Sequence, residues 1–66
     1  MIQLFLREWR EHRGLTQQQL AERSGIALPN LSKIELGQMR WHSEMLEQLA
    51  LAFDLDDPRR LLFPPA

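Results

Sequence analysis

Apolar side chains recur every three to four residues through most of this chain and nowhere alternate over the length of a strand, which predicts helices and no sheet. The first stretch, about residues 2–12, sets Ile2, Leu6, Trp9 and Arg13 on one face, and Gly14 follows as a C-terminal cap. The second opens on a full start signal: Thr16 as N-cap, Gln19 three residues on as in a capping box, and Leu15 placed to pack on Leu20. It should end near Ser24, where Gly25 supplies a left-handed residue and Ile26 can fold back toward Ala21.

A third helix, about residues 28–36, turns Leu31 and Ile34 inward and ends at Gly37. Pro29 disfavours a helical conformation at Leu28 and suits a first helical position, so local rules make Leu28 the cap. After a polar loop through Gln38, Arg40 and His42, a fourth helix carries Leu46, Leu49, Ala50 and Phe53 at i, i+3, i+4 and i+7. Asp57 followed by Pro58 opens a short fifth helix with Leu61 and Leu62 inward, stopped by Pro64 and Pro65. The chain shows neither a repeat nor a low-complexity segment.

Sixty-six residues allow one domain, here the whole of 1–66, with a modest core and little room for an elaborate catalytic pocket. Without cysteine there is no disulfide framework and no thiolate metal site. The apolar opening run is cut short by Arg7, Glu8, Arg10 and Glu11, so neither a signal-peptide core nor a membrane span is expected, and the protein reads as cytoplasmic. The formal net charge of −1 is unevenly spread. Residues 1–40 hold six basic side chains against four acidic ones, and residues 41–66 hold two against five. Any electrostatic footprint for nucleic acid must therefore lie in the first forty residues.

Two short helices joined by a tight glycine turn pack across each other when the residue at the crossing is small and the second helix is anchored by apolar side chains one turn apart. Ala21, Gly25, Leu31 and Ile34 meet these demands, leaving the outer face of the third helix projecting, with dimensions that suit the major groove of B-DNA.

At this point the chain resembles the phage-repressor and Cro type of helix-turn-helix protein, the xenobiotic-response-element family, over nearly its whole length. The residues that carry the likeness are Arg10, the run Gly14-Leu15-Thr16-Gln17-Gln18-Gln19-Leu20-Ala21, Gly25-Ile26, Leu31-Ser32-Lys33-Ile34-Glu35, Gly37 and the Leu46, Leu49, Ala50, Phe53 helix. The resemblance implies an all-α, compact five-helix, lambda-repressor-like DNA-binding domain whose helix-turn-helix is formed by helices two and three. It implies that helix three reads operator DNA, that Gln17 matches a position meeting backbone phosphate, and that Arg10 pairs with Glu35 to orient helix three. This chain departs from the pattern in three places. Ala27 stands where a polar cap is usual, Leu28 and Pro29 stand where polar base-readers are common, and Trp41 replaces a common proline.

Each of these residues also has a plain structural reading. Trp9 reads as core, on the inward face with Leu6. Arg10 and Glu35 are either solvated charges or the partners that a buried charge needs. Lys33 is either an exposed lysine or a contact to a guanine edge or a phosphate, and Asn30 and Ser32 share its face. Asn30 could equally support the helix start. Arg40 and Gln38 in the following loop, with Gln17 and Gln18 opening helix two, complete the expected DNA-binding set of Gln17, Gln18, Leu28, Pro29, Asn30, Ser32, Lys33, Gln38 and Arg40. The amide groups opening helices two and three can hold phosphates without formal charge, which reconciles DNA binding with a slightly acidic chain. His12 and His42 lack a second ligand or nucleophile at useful spacing, and Asp54, Asp56 and Asp57 lack the ligand spacing of a calcium loop.

The expectation is a sequence-specific DNA-binding transcriptional regulator, a repressor, with no enzymatic activity, metal or cofactor. The alternatives on the same scaffold are an antitoxin holding a toxin partner and a protein-interaction module. Its partners would be double-stranded DNA and a second copy of the chain, in free solution or only on DNA, with Trp41, Phe63, Pro64 and Pro65 as the expected contact surface.

Overall fold

The computed structural model describes residues 3–65. Among them run four α-helices, α1 (Leu6–His12), α2 (Gln17–Ser24), α3 (Leu28–Glu35) and α4 (Ser43–Ala52), then a 3-10 helix over Pro58–Leu62, and no strand. The all-helical architecture follows the apolar spacing, but the fifth element is not the α-helix expected. Only five residues lie between Asp57 and the extended Phe63 that precedes Pro64. The segment instead closes i→i+3 bonds, Arg60 N–H to the Asp57 carbonyl and Phe63 N–H to the Arg60 carbonyl, both 3.1 Å.

The first helix also differs from its expected bounds. It starts at Leu6, because the backbone ahead of it is engaged elsewhere: Phe5 N–H donates to the Leu61 carbonyl at 2.9 Å, fastening the lead-in to the 3-10 helix. Leu4 is buried from this non-helical segment, and Ile2 lies outside the described residues. Of the expected inward face, Leu6 and Trp9 are buried and Arg13 is exposed.

Both reciprocal bonds of the capping box form at α2, Gln19 N–H to Thr16 Oγ1 at 3.1 Å and Thr16 N–H to Gln19 Oε1 at 2.9 Å. Gly25 ends the helix at φ +76°, and a Cβ there would meet nothing within 4 Å, so backbone conformation and not space demands glycine. The cap of α3 is Ala27 and not Leu28. Its carbonyl accepts from both Asn30 and Leu31, at 3.0 Å each, and so closes the first turn around Pro29, whose missing N–H would have been unpaired there anyway. The helix ends at Glu35 with Leu36 as cap, one residue earlier than expected.

His42, expected only in the loop, caps α4 through Nδ1, which accepts from Met45 N–H at 3.3 Å. The buried stripe of α4 is broader than the sequence suggests: Met45, Leu49, Ala50 and Ala52 are buried with Phe53, and Leu46 is half-buried. Asp54 at φ +58° turns the chain back, with Leu55 N–H reaching the Ala50 carbonyl at 2.8 Å.

Each helical element contributes one fully buried leucine to a single core: Leu6, Leu20, Leu31, Leu49 and Leu61. Each such side chain contributes about 1.5–3 kcal/mol, and Phe53, Ile34, Trp9 and Ile26 are buried among them. Trp9 joins the two ends of the chain, its Nε1–H donating to the Phe63 carbonyl at 2.8 Å. Among the described residues no helix is long and apolar enough to cross a membrane.

Candidate nucleic-acid interface

On α3 the inward side chains are Leu31 and Ile34, both buried. On the opposite face Pro29, Lys33 and Leu36 are exposed, with Ser32 beside them half-buried. Leu28 flanks this face and is 39% exposed. Asn30 is half-buried, on the side nearer the core.

A hydrogen-bonded clamp fixes the far end of α3. Arg10 grips Glu35 through two bonds, Nε to Oε2 at 2.7 Å and Nη2 to Oε1 at 3.2 Å, and its Nη1 donates to the Leu15 carbonyl at 2.9 Å. With side-chain exposures of 15% and 4%, the pair is well shielded, as the resemblance implied. The hydrogen bond to Glu35 raises the Arg10 guanidinium above its ordinary pKa against the opposing effect of burial.

Gln17 has a tie that sequence reasoning missed. Its Nε2 donates to Glu35 Oε1 at 3.1 Å, so the side chain expected to meet phosphate also belongs to the clamp. One amide hydrogen and the carbonyl oxygen are left over for another partner. Nothing local in sequence marks a bond across 18 positions; only the fold brings α2 and the end of α3 together. The first turn of α2 thus lines up with α3 along two shallow concavities. One is lined by Arg7, Arg10, Gln17, Ser32, Glu35 and Leu36, and the other runs along the α2–α3 elbow with Gln18 and Leu28 at its rim.

Gln38 and Arg40 are exposed beyond the end of α3. Neither Lys33 nor Arg40 forms an ion pair among the described residues, whereas both arginines of the acidic half are held by nearby carboxylates, Arg59 by Asp57 at 2.8 Å and Arg60 by Asp56 at 3.5 Å. The Arg59 hydrogen bonds lower the Asp57 carboxyl to a pKa of about 2. Lys33 and Arg40 therefore keep their charge for another partner, as do Arg13 after α1 and Arg23 in α2.

The backbone amides at the helix starts are less available than the sequence suggests. At α2, Gln17 and Gln18 keep theirs, Gln19 N–H being spent on Thr16. At α3, Asn30 and Leu31 donate to Ala27 and Pro29 has none, which leaves the Leu28 amide.

Leu36 and Leu51, 62% and 77% exposed, are apolar surface that sequence reasoning did not single out. The 3.6-residue period alone would have put Leu36 beside Pro29, Ser32 and Lys33. Phe63, at 65%, is exposed as expected of the contact surface, but Trp41 is half-buried against the core. His12 stands edge-on to Trp9 at 5.9 Å, and the described residues hold no group of three or more metal-ligating side chains.

The sequence pattern of the helix-turn-helix domain family matches residues 4–62. Two uncharacterised HTH-type transcriptional regulators of Mycobacterium tuberculosis, from different strains, are each 42% identical over 48 residues, 73% of this chain. The chain spans about a third of the length of these curated relatives, 34% of each. The crystal structure of the restriction-modification controller protein C.AhdI from Aeromonas hydrophila superposes with a TM-score of 0.79 at 38% identity, covering 88% of this chain and 85% of that one.

Proposed function

Because the chain belongs to the helix-turn-helix domain family, we propose that it is a sequence-specific DNA-binding transcriptional regulator, acting as a repressor, with α3 entering the major groove. The observation that carries this reading is the division of α3 into two faces. Leu31, Ile34 and Glu35 are locked into the protein, while Lys33 stands unpaired on an open face beside the first turn of α2. A rigid helix with one free cation is suited to reading base edges, and the clamp fixes its angle in advance.

In this reading Lys33 and Ser32 meet base edges, and Asn30 contacts the flank of the groove. Gln18, Gln38 and Arg40 meet phosphates, and Gln17 offers phosphate its second amide hydrogen while the first stays on Glu35. With so few free cations, nonspecific affinity is low and its salt dependence shallow. Repression follows from occupancy of the operator, and the reading assigns no catalytic step.

One α3 spans only a few base pairs, so useful specificity takes two copies on a two-fold site, with half-sites about 10 base pairs or roughly 34 Å apart. The exposed Phe63, with Pro64 and Pro65 after it, supplies the apolar surface for that contact.

The test is selection of bound duplexes from a random-sequence pool, followed by footprinting and a salt titration. A pseudo-palindromic footprint that is lost with Lys33→Ala and Ser32→Ala together supports the reading. Binding indifferent to sequence, or unchanged by that pair of substitutions, removes it.

A further inference from the structure

The open face of α3 is poor in hydrogen-bonding groups. Ser32 and Lys33 are its polar side chains, and its leading end is Ala27, Leu28 and Pro29. Ala27 makes no side-chain cap bond, its carbonyl already takes the Asn30 and Leu31 amides, and Pro29 has no N–H. Leu28, 39% exposed, lies outside the core that Leu31 and Ile34 enter. It forms the rim of an open groove whose other walls are Gln18, Ala21, Glu22, Gly25 and Ile26. Gly25 adds no side chain to this groove, and the space beside it is clear to 4 Å.

A base edge approaching such a surface finds almost nothing to exchange hydrogen bonds with. In the major groove the feature that matches it is the C5-methyl group of a pyrimidine, the apolar element of the base-pair code. Resting on the DNA-binding reading above, we propose that Leu28, with Pro29 and the α2–α3 elbow, is a specificity determinant that recognises a pyrimidine C5-methyl group, that of thymine or of 5-methylcytosine. Lys33 lies five residues further along α3, about 7.5 Å at the helical rise. With base pairs about 3.4 Å apart, the methyl-bearing pyrimidine and a guanine read by Lys33 are about two base pairs from one another in each half-site.

The occupant follows from the surroundings of Leu28. An apolar partner peptide would need a continuous apolar surface, but polar Gln18 and acidic Glu22 interrupt this one. A single methyl group framed by polar base edges and phosphates fits a small apolar tip with polar neighbours.

The experiment uses the full chain and a duplex recovered from the random-sequence pool. Each thymine is replaced in turn by deoxyuridine, which deletes only the methyl group. In a second series each cytosine is replaced by 5-methylcytosine, which adds one. One thymine per half-site is expected to lose about fourfold in affinity when converted to deoxyuridine, the worth of one buried methyl group. If the recognised base is 5-methylcytosine, the second series gains by the same factor and the first is flat. Leu28→Ala, checked for folding by its thermal melt, should bind the methylated and demethylated duplexes equally. Specific binding unaffected by every replacement in both series overturns the methyl inference and leaves the DNA-binding reading standing. Recovery of no specific duplex overturns both. A methyl dependence that persists in Leu28→Ala removes Leu28 from the role.

Discussion

The two helices of the motif have the same length, eight residues each, and begin in opposite ways. α2 opens on a capping box that its own residues Thr16 and Gln19 complete, so its first turn is satisfied without help from another element. α3 opens on Ala27, with no side-chain cap, and a proline at its second position. Its order comes from outside: Leu31 and Ile34 in the core, and Glu35 held by Arg10 from α1 and Gln17 from α2. The helix that supports is locally specified, and the helix that presents is tertiarily specified. In consequence the leading end of α3 keeps few polar groups of its own, and its outer face is free to vary without unfolding the domain.

The sharpest way to break this contrast is to remove the anchor of α3. Leu31 has no exposed surface, and Leu31→Ala should cost about 2–5 kcal/mol. A domain of this size has about 3–10 kcal/mol in all, so the variant should lose a large share of its stability and unfold at a clearly lower urea concentration. Ser32→Ala, one residue along on the half-exposed side, should shift the same titration by less than about 0.5 kcal/mol. Equal losses at the two positions would contradict the two-faced description of α3.

The clamp comes next. Arg10→Met and Glu35→Gln should each cost about 2–3 kcal/mol, somewhat below the range for a fully buried pair because Arg10 retains 15% side-chain exposure. The double substitution should cost clearly less than the sum, since half of a shielded pair left alone is the expensive state. Additivity in the double-mutant cycle would mean that the two charges act independently. Gln17→Ala within the same cycle separates its two roles: coupling to Glu35→Gln in stability measures its place in the clamp, and the remaining loss in DNA affinity measures phosphate contact.

The contrast between α2 and α3 also explains what could be read from the sequence. α2 was legible to its end residues because its signals, Thr16, Gln19 and Gly25, act over three or four positions and survive in the fold unchanged. Leu31, Ile34 and the Arg10–Glu35 pair were legible too, the first two from periodicity and the pair only through resemblance. Features set by long-range contact were not. The start of α1 is fixed by a bond from Phe5 to Leu61, 56 positions away. The cap of α3 is local, the Ala27 carbonyl taking the amides of Asn30 and Leu31, but an alanine side chain carries no capping signal. His42 was passed over because an imidazole acts as a helix cap only when Nδ1 is turned toward the next turn, which its residue type does not reveal. The geometry of the last helix is not legible because its apolar pair, Leu61 and Leu62, fits an α-helix or a 3-10 turn, and a run of five residues is short enough to adopt the tighter one.

A smaller effect tests the local half of the contrast directly. Thr16→Ala removes one of the two bonds of the capping box and should cost about 1 kcal/mol, visible as a lower thermal midpoint with an unchanged core. Gln19→Ala removes the reciprocal bond and should cost no more than that. If α2 were held mainly by its contacts, as α3 is, both substitutions would be close to silent.

The smallest expected effect is a gain, at the start of α3. Ala27 already has the extended backbone of a cap, φ −60° and ψ 139°, so serine fits there without rearrangement. At an ordinary helix start such a replacement contributes about 1 kcal/mol by capturing the amide of the second or third helical residue. Here the second residue is Pro29, which has none, and the third, Asn30, already donates to the Ala27 carbonyl at 3.0 Å. The serine oxygen can only share that hydrogen, so Ala27→Ser should stabilise by about 0.5 kcal/mol or less, half the usual cap value. A gain as large as the loss in Thr16→Ala would show that the first turn of α3 is unsatisfied as it stands, and that its unusual start is a cost the domain carries and not an arrangement that Pro29 and the Ala27 carbonyl complete between them.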